Sequence, residues 1–561
     1  MTATPWGFRD ILPEEAQARE EIALTVKGCF REHHYLPVET PLLEDKGSLE
    51  EGGRIADTPF KLFDDDGRLL VVRPDNTLPI VRLVSTRMRA ADLPLRLRYE
   101  APVVRECQRN AGGSRQFTQL GFELIGAGDT AGDVEIVSLV AEAVRKLALP
   151  GARIIAGSVR PFKELLAACE DRELAAEALC CVHANDFVGL DARVAASAES
   201  DAVKAAISEL PRLHGGAEVL DRVDALLEAA GIVAPLTREL RALVEGLAPE
   251  EAQVLSFDFS IMNSFDYYTG LVFKAYAGGL PDPVGSGGRY DSIFTGAFGD
   301  GIEVPAAGFA FSLERLEAAR TSAEDAASDG DHAAGRGAEG PLRIAVPKGS
   351  LNADSIACLT ACGLDVTGLD NPGRQLIIRN PGVEYIIVRP SDAPAFVELG
   401  AADCGICGWD SLIEADLNLL QLVDLGYGLC TFIEAEPARR AGQAERNYAR
   451  RGSLRVATKY PRIASAWYAE RGVNADIVSL HGNIELGPIV GMTDRIVDIT
   501  ATGATLRDND LVITGRIMDC TARFFVNPGA ARLDPRVRNL ADRLAAAVKD
   551  KHFEPVAGSA Q

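Results

Sequence analysis

The segment Ile496-Val-Asp-Ile-Thr-Ala-Thr-Gly-Ala-Thr-Leu506 carries the densest chemistry in the chain. An apolar run holds Asp498, continues through Thr500, Thr502, Gly503, Ala504 and Thr505, and enters an expected helix at Leu506. Small residues let backbone N–H groups approach an anion, and a helix N-terminus adds the positive end of its dipole. The threonine hydroxyls are further donors, and Asp498 can accept from the two hydroxyls of a ribose. The pattern fits a sugar-phosphate cradle, and it equally fits a capped strand-to-helix turn. Three cations stand at predicted strand ends: Lys348, followed by Gly349, in RIAVPKGSL; Arg374 in NPGRQL; and Arg389 after VEYIIV. One such group is ordinarily solvated surface. Several beside Gly- or Pro-containing turns make a candidate anion site. Cys404 and Cys407 form CGIC without a second pair or a nearby histidine, so they read as a buried strand passing into a turn. The seven histidines show no metal-ligand spacing, and His33, His34 and His481 read as structural or surface groups.

The elements that must position these groups fall into two parts. Residues 321–340, TSAEDAASDGDHAAGRGAEG, hold six Ala, four Gly and five acidic residues, with no aliphatic side chain larger than Ala. Such a stretch buries too little to offset its ordering entropy and is expected to be a flexible linker. Residues 1–320 precede it and 341–561 follow. The second part alternates strands (343–346, 384–389, 455–458, 476–480, 495–500) with helices (393–399, 462–471), the rhythm of an α/β fold with ligands near the carboxyl ends of strands. The first part opens on an amphipathic helix with Ile22, Val26, Cys29 and Phe30 on one face. Strands are expected at 69–73, 95–99, 255–259 and 270–276, a helix around Val134–Val144 positions, and a helical insertion over 162–247, which together read as α+β.

Composition bounds the function. The chain has 561 residues, 47% hydrophobic and 25% charged, with a formal net charge of −23. Ordinary globular composition gives ample core. The acidic balance disfavours general binding to nucleic acid or an anionic membrane, so anionic ligands need local cationic clusters. The N-terminus MTATPWGFRD lacks a signal-peptide pattern, and eleven scattered cysteines suit a reducing compartment, so a cytoplasmic protein is expected.

The segments RIAVPKGSL, RPSDAPAFVELGAADCGICGWDSL, RVATKYPRIASAWYAERG and LHGNIELGPIVGMTDRIVDITATGATLRDNDL, in that order, resemble the short form of ATP phosphoribosyltransferase. The resemblance implies a two-lobed α/β fold of the periplasmic-binding-protein kind with its site in the cleft. It also implies the first step of histidine biosynthesis: N1 of ATP displaces pyrophosphate from C1 of phosphoribosyl pyrophosphate (PRPP). By that likeness Asp498 takes the ribose hydroxyls and Thr502, Gly503, Ala504, Thr505 and Leu506 the 5′-phosphate. Lys348, Arg374 and Arg389 take the pyrophosphate and ATP phosphates, with Gly349 beside the ATP. Magnesium is expected on substrate oxygens and water, with no ligand from the protein. Ala501 stands where the family often has an acidic or hydroxyl residue.

The first part resembles the catalytic core of class II histidyl-tRNA synthetase through EHHYLPVETPLLE, VVRPDNTLPIVR, VVRECQRNAGGSRQFTQLGFELIG, FDYYTGLVFKAY, GSGGRYDSI and PAAGFAFSLERL. That likeness implies an antiparallel sheet. The departures matter: Cys107 replaces a Glu that helps hold adenine, Asn263 replaces an Arg that stabilises the activated carboxylate, and no anticodon-binding domain precedes the linker. Aminoacylation and tRNA binding are therefore not expected. The amino-acid-pocket positions Asp75, Thr77, Arg105, Gln119, Glu123, Tyr267 and Tyr268 are retained in kind, either as inherited core or as a histidine sensor. Synthetase-like proteins of this class are regulatory partners of the short transferase, so the joined chain is expected to be a homo-oligomer whose transferase responds to L-histidine as feedback inhibitor. The rivals are a catalytically dead sensor and a histidine-activating ligase.

Overall fold

The computed structural model describes all residues except 1–3, 51–59, 89–91, 107–113, 129, 262–267, 278–279, 295–303, 329–339, 501–502 and 551–561. The chain forms two compact units, Met1–Gly340 and Pro341–Gln561.

The first unit is built on a nine-stranded sheet in the order Leu36–Pro37, Leu95–Val104, Gln116–Ile125, Ala306–Ser312, Gly285–Arg289, Leu271–Tyr276, Arg153–Ser158, Leu255–Asp258, His214–Gly215. Its pairings are antiparallel apart from Leu36–Pro37 on Leu95–Val104 and Arg153–Ser158 on Leu255–Asp258. The amphipathic stripe of helix Pro13–Glu32 buries Ile22, Ala23, Val26, Cys29 and Phe30. Phe30 meets Phe122 edge-on at 5.1 Å, and Phe122, Phe309 and Phe273 continue the aromatic core across three strands of the sheet. Helix Thr130–Lys146 buries Val137, Ala141 and Val144 of the predicted face and leaves Val134 half-buried. The insertion after Arg153–Ser158 is helical, with capped helices such as Arg172–His183, where the Asp171 carboxylate accepts from the Leu174 amide at 3.0 Å.

Helix Leu313–Ser328 corrects one expectation. Its last eight residues fall within the stretch read as flexible linker, because Ala and Glu sustain a helix that the preceding turns have already nucleated. The remaining linker residues 329–339 lie outside the described residues.

The second unit has two lobes, each built on a sheet. The first lobe's sheet runs Ile377–Asn380, Val383–Val388, Leu342–Pro347, Cys404–Gly408, Ala522–Val526, Leu420–Asp424. The second runs Ala475–Ser479, Leu454–Thr458, Arg495–Thr500, Cys430–Pro437, Leu511–Cys520. The chain leaves the first lobe after Asp424 and returns at Ala522, so two crossovers join the lobes. The Leu425 amide donates to the Ala522 carbonyl at 2.9 Å, and the Ala522 amide to the Tyr427 carbonyl at 2.8 Å, which binds the crossovers to each other. The lobes also meet where the Glu414 carboxylate accepts from the Arg462 amide at 2.9 Å at the start of helix Pro461–Glu470.

Candidate functional site

The first lobe gathers its cations through parallel pairing. Strands Leu342–Pro347 and Val383–Val388 run side by side with Pro347 opposite Val388, and the Lys348 amide donates to the Val388 carbonyl at 2.9 Å. Lys348 and Arg389 therefore leave the carboxyl ends of neighbouring strands together, and both side chains are exposed. Strand Ile377–Asn380 pairs antiparallel with the same strand, and the Ile387 amide reaches the Leu376 carbonyl, so Arg374 in the preceding turn comes to that same edge. Gly349 adopts a left-handed φ of +88°, which a residue with a side chain resists at this tight exit. On the other side of Leu342–Pro347, the parallel strand Cys404–Gly408 delivers Asp410 to the same end of the sheet.

The second lobe presents the ribose-binding candidate. Asp498 lies in strand Arg495–Thr500, and its carboxylate accepts from the Ile499 amide at 2.8 Å. Burial pushes its pKa up to about 6, with Glu485 adding repulsion and Lys459 opposing both. Strand Leu454–Thr458 runs parallel to it with Thr458 opposite Val497, which puts Lys459 beside Asp498 at the strand ends. The Asp410 carboxyl, raised by burial, is likewise favoured in its charged form by Lys459. Lys459 thus favours the charged form of one carboxylate in each lobe. Sequence reading missed it, although a lysine closing a strand before Tyr-Pro is the same signal that singled out Lys348.

The loop after Asp498 turns on Gly503 at φ +70°, with the Gly503 amide donating to the Thr500 hydroxyl at 2.9 Å. Helix Ala504–Asp508 follows, two residues earlier than expected, and carries Thr505 exposed and Leu506 buried. Ala501 and Thr502 lie outside the described residues. Cys404 and Cys407 are buried in their strand, which passes directly into helix Trp409–Ala415 rather than into a turn. Among the described residues no group of three or more metal-ligating side chains comes together.

In the first unit three hydroxyls, of which only that of Thr77 was expected from the sequence, converge on one carboxylate. Glu123, 1% exposed, accepts from the Thr77 hydroxyl at 2.9 Å, from the Tyr99 hydroxyl at 3.2 Å and from the Tyr290 hydroxyl. Burial pushes its pKa up to about 7, against these three donors. Asp75 is buried nearby and accepts from the Leu78 amide at 3.1 Å; burial raises it while the Arg105 guanidinium lowers it. Arg105 itself donates to the Pro74 carbonyl at 2.8 Å and lies over the Phe117 ring. Gln119 accepts from the Asn76 side chain at 2.8 Å. Tyr268 is buried against Gly288, where an added Cβ would stand 2.7 Å from its ring. Gly308 lies beneath Glu123 and leaves room for its carboxylate: a Cβ there would come within 1.7 Å of Oε2. Tyr267, Cys107 and Asn263 lie outside the described residues. Tyr99 and Tyr290 were missed, since their inward direction follows from strand register across the sheet.

The histidyl-tRNA synthetase family model matches residues 7–316, and the ATP phosphoribosyltransferase family model matches residues 389–546. An ATP phosphoribosyltransferase of Rubrobacter xylanophilus is 50% identical over 192 residues, 34% of this chain and 89% of that protein. The chain belongs to the ATP phosphoribosyltransferase family. Its first part is similar to an ATP phosphoribosyltransferase regulatory subunit of Moorella thermoacetica, 38% identical over 325 residues, 56% of this chain and 81% of that protein. A crystal structure of an ATP phosphoribosyltransferase regulatory subunit/histidyl-tRNA synthetase from Bacillus halodurans C aligns with a TM-score of 0.52 at 26% identity, covering 69% of this chain and 99% of that one. The chain is therefore an enzyme of histidine biosynthesis in which a transferase and a synthetase-like regulatory domain are joined.

Proposed function

We propose that residues 341–561 join PRPP to N1 of ATP in the cleft between the two lobes, and that residues 1–320 hold L-histidine around Glu123 as a feedback inhibitor. The observation that carries the first half is the parallel register that puts Lys459 beside Asp498 at the strand ends of the second lobe, matching in kind the strand-end cations Lys348 and Arg389 of the first lobe. Asp498 accepts from the ribose hydroxyls, and the loop through Thr502, Gly503, Ala504, Thr505 and Leu506 takes the 5′-phosphate. Lys348, Arg374 and Arg389 draw off charge as pyrophosphate departs and C1 acquires oxocarbenium character. Positioning and electrostatics supply this catalysis without a covalent nucleophile. Gly349 lets the chain turn beside the ATP phosphates. Magnesium would be held by substrate phosphate oxygens and water, where it would offset the phosphate charge.

Glu123 carries the second half. A carboxylate held at about pH 7 by burial, among three hydroxyl donors, gains most from a ligand that brings a positive charge. The ammonium and imidazole of histidine bring that charge to Glu123 and Asp75, with Thr77, Arg105, Gln119, Tyr267 and Tyr268 completing the pocket. Inhibition then requires that histidine bind one state of the assembly more tightly than another. A homo-oligomer in the cytoplasm, without tRNA or membrane as partner, is the setting for this reading; no described helix is long and apolar enough to cross a membrane.

The test is formation of phosphoribosyl-ATP from ATP and PRPP with magnesium, with and without histidine. Product that falls as histidine rises supports both halves. Product indifferent to saturating histidine removes the sensor, and no product from folded protein removes the transfer. Histidine-dependent exchange of pyrophosphate into ATP would instead favour a histidine-activating ligase.

A further inference from the structure

Two cysteines face each other at the point where both crossovers enter the second lobe. Cys430 is the first residue of strand Cys430–Pro437 and Cys520 the last of strand Leu511–Cys520, and the two are directly opposed in the antiparallel register. Among the described residues they are the cysteine pair so placed across two strands. Both are free thiols, Cys520 buried and Cys430 half-buried. The surroundings hold the pair in place. Thr431 donates to the Asp519 carboxylate at 2.7 Å, Thr521 donates to the Asp424 carboxylate at 2.7 Å, and the Trp409 amide donates to the Thr521 carbonyl at 3.0 Å.

We propose that Cys430 and Cys520 form a reversible disulfide that staples the two crossovers together and slows the transferase. The residues assigned to substrate sit on both lobes, so adjustment of the cleft around PRPP and ATP passes through these two strands of chain. A covalent link between them restricts that adjustment.

The thiols are unequal in the way exchange chemistry requires. A hydrogen bond from the Cys520 thiol lowers the pKa of Cys430, and the same bond raises that of Cys520. Burial instead raises Cys29, Cys169, Cys181, Cys358, Cys362, Cys404 and Cys407. The more accessible thiol is therefore the more easily ionised, as a nucleophile must be. With a low-molecular-weight disulfide as oxidant, the Cys430 thiolate attacks one sulfur and expels the first small thiolate. Cys520 then passes its proton to a leaving thiolate and attacks the Cys430 sulfur, expelling the second. Two protein thiols are oxidised to one disulfide and one small disulfide is reduced to two thiols.

The full chain would be equilibrated with oxidised and reduced glutathione at graded ratios, alkylated, digested and mapped, with transfer of phosphoribosyl to ATP assayed on the same samples. The expected result is a linked Cys430–Cys520 peptide, two hydrogens lighter than the reduced pair, accompanied by a several-fold fall in rate that dithiothreitol reverses. Cys430→Ser should keep the reduced-state rate and ignore the oxidant, whereas Cys520→Ser should keep the reduced-state rate, stop at a Cys430–glutathione mixed disulfide and yield no linked peptide. A folded protein that yields no linked peptide overturns the proposal. So does a linked peptide with unchanged rate, or a Cys430→Ser protein that loses activity to glutathione as the parent does.

Discussion

The Thr77 hydroxyl donates to Glu123 Oε1 at 2.9 Å, tying the first turn of helix Thr77–Arg87 to the last third of strand Gln116–Ile125. Removing the charge at this junction should separate ligand recognition from catalysis. Glu123→Gln is expected to weaken inhibition by histidine at least about tenfold, the scale of one hydrogen bond to a charged group, while leaving the transfer rate without histidine unchanged. Dose–response curves on the parent and the variant decide it; coincident curves exclude Glu123 from the pocket.

The same carboxylate makes stability depend on pH. Its folded pKa of about 7 lies above the ordinary value of 4.5, so the folded state holds a proton that the unfolded state has lost between those limits. The stabilisation is complete below about pH 4.5 and disappears as pH rises to about 7, on the order of 3 kcal/mol in all. Thermal midpoints of the parent, measured across this window without histidine, should therefore fall more steeply with pH than those of Glu123→Gln. Parallel slopes would show that Glu123 ionises as it does in water.

Gly308 tests the packing beneath Glu123. Its missing Cβ leaves the space that Oε2 occupies, so Gly308→Ala should lower stability by about 1–3 kcal/mol through overpacking and weaken the histidine response with it. Unchanged denaturation and unchanged inhibition would mean that the carboxylate moves aside freely.

Asp498 should act as an ionised acceptor. With a pKa near 6, it is protonated in mild acid and can no longer accept from both ribose hydroxyls, so kcat/KM for PRPP is expected to fall below about pH 6. Asp498→Asn should reduce kcat by about a hundredfold, the usual cost of losing a preorganised electrostatic contact. Lys459→Met removes the cation that holds this pKa down, and it should move the acid limb to higher pH. A limb that stays in place would detach Lys459 from Asp498.

Lys348 and Arg389 emerge from neighbouring strand ends, so their effects should be coupled. Each single alanine variant is expected to raise KM for PRPP or ATP, and the double variant should cost less than the sum of the two, since one anion contacts both. Strict additivity in the double-mutant cycle would place them on separate phosphates.

Local signals were legible where one element suffices. The stripe from Ile22 to Phe30 gave helix Pro13–Glu32, and the apolar run of residues 495–500 is strand Arg495–Thr500. The helix after the threonine-glycine loop starts earlier than expected, since Gly503 in the left-handed region ends the loop and frees Ala504 to begin it. The acidic, Ala-rich stretch was misread at its start because propensity for helix and absence of core-forming side chains are separate properties.

The sequence alone determined the two-part organisation, the strand-end cations, Asp498 with its threonine-glycine loop, and the likeness to both families, because these are properties of residue type and spacing. Tertiary structure decided which distant residues share a site. Tyr99 and Tyr290 reach Glu123 through strand pairing, Lys459 stands beside Asp498 through parallel register, and Cys430 meets Cys520 through antiparallel register where the crossovers enter the second lobe. Periodicity fixes which face of an element a side chain occupies, but only the order and register of strands fix which other side chain it meets.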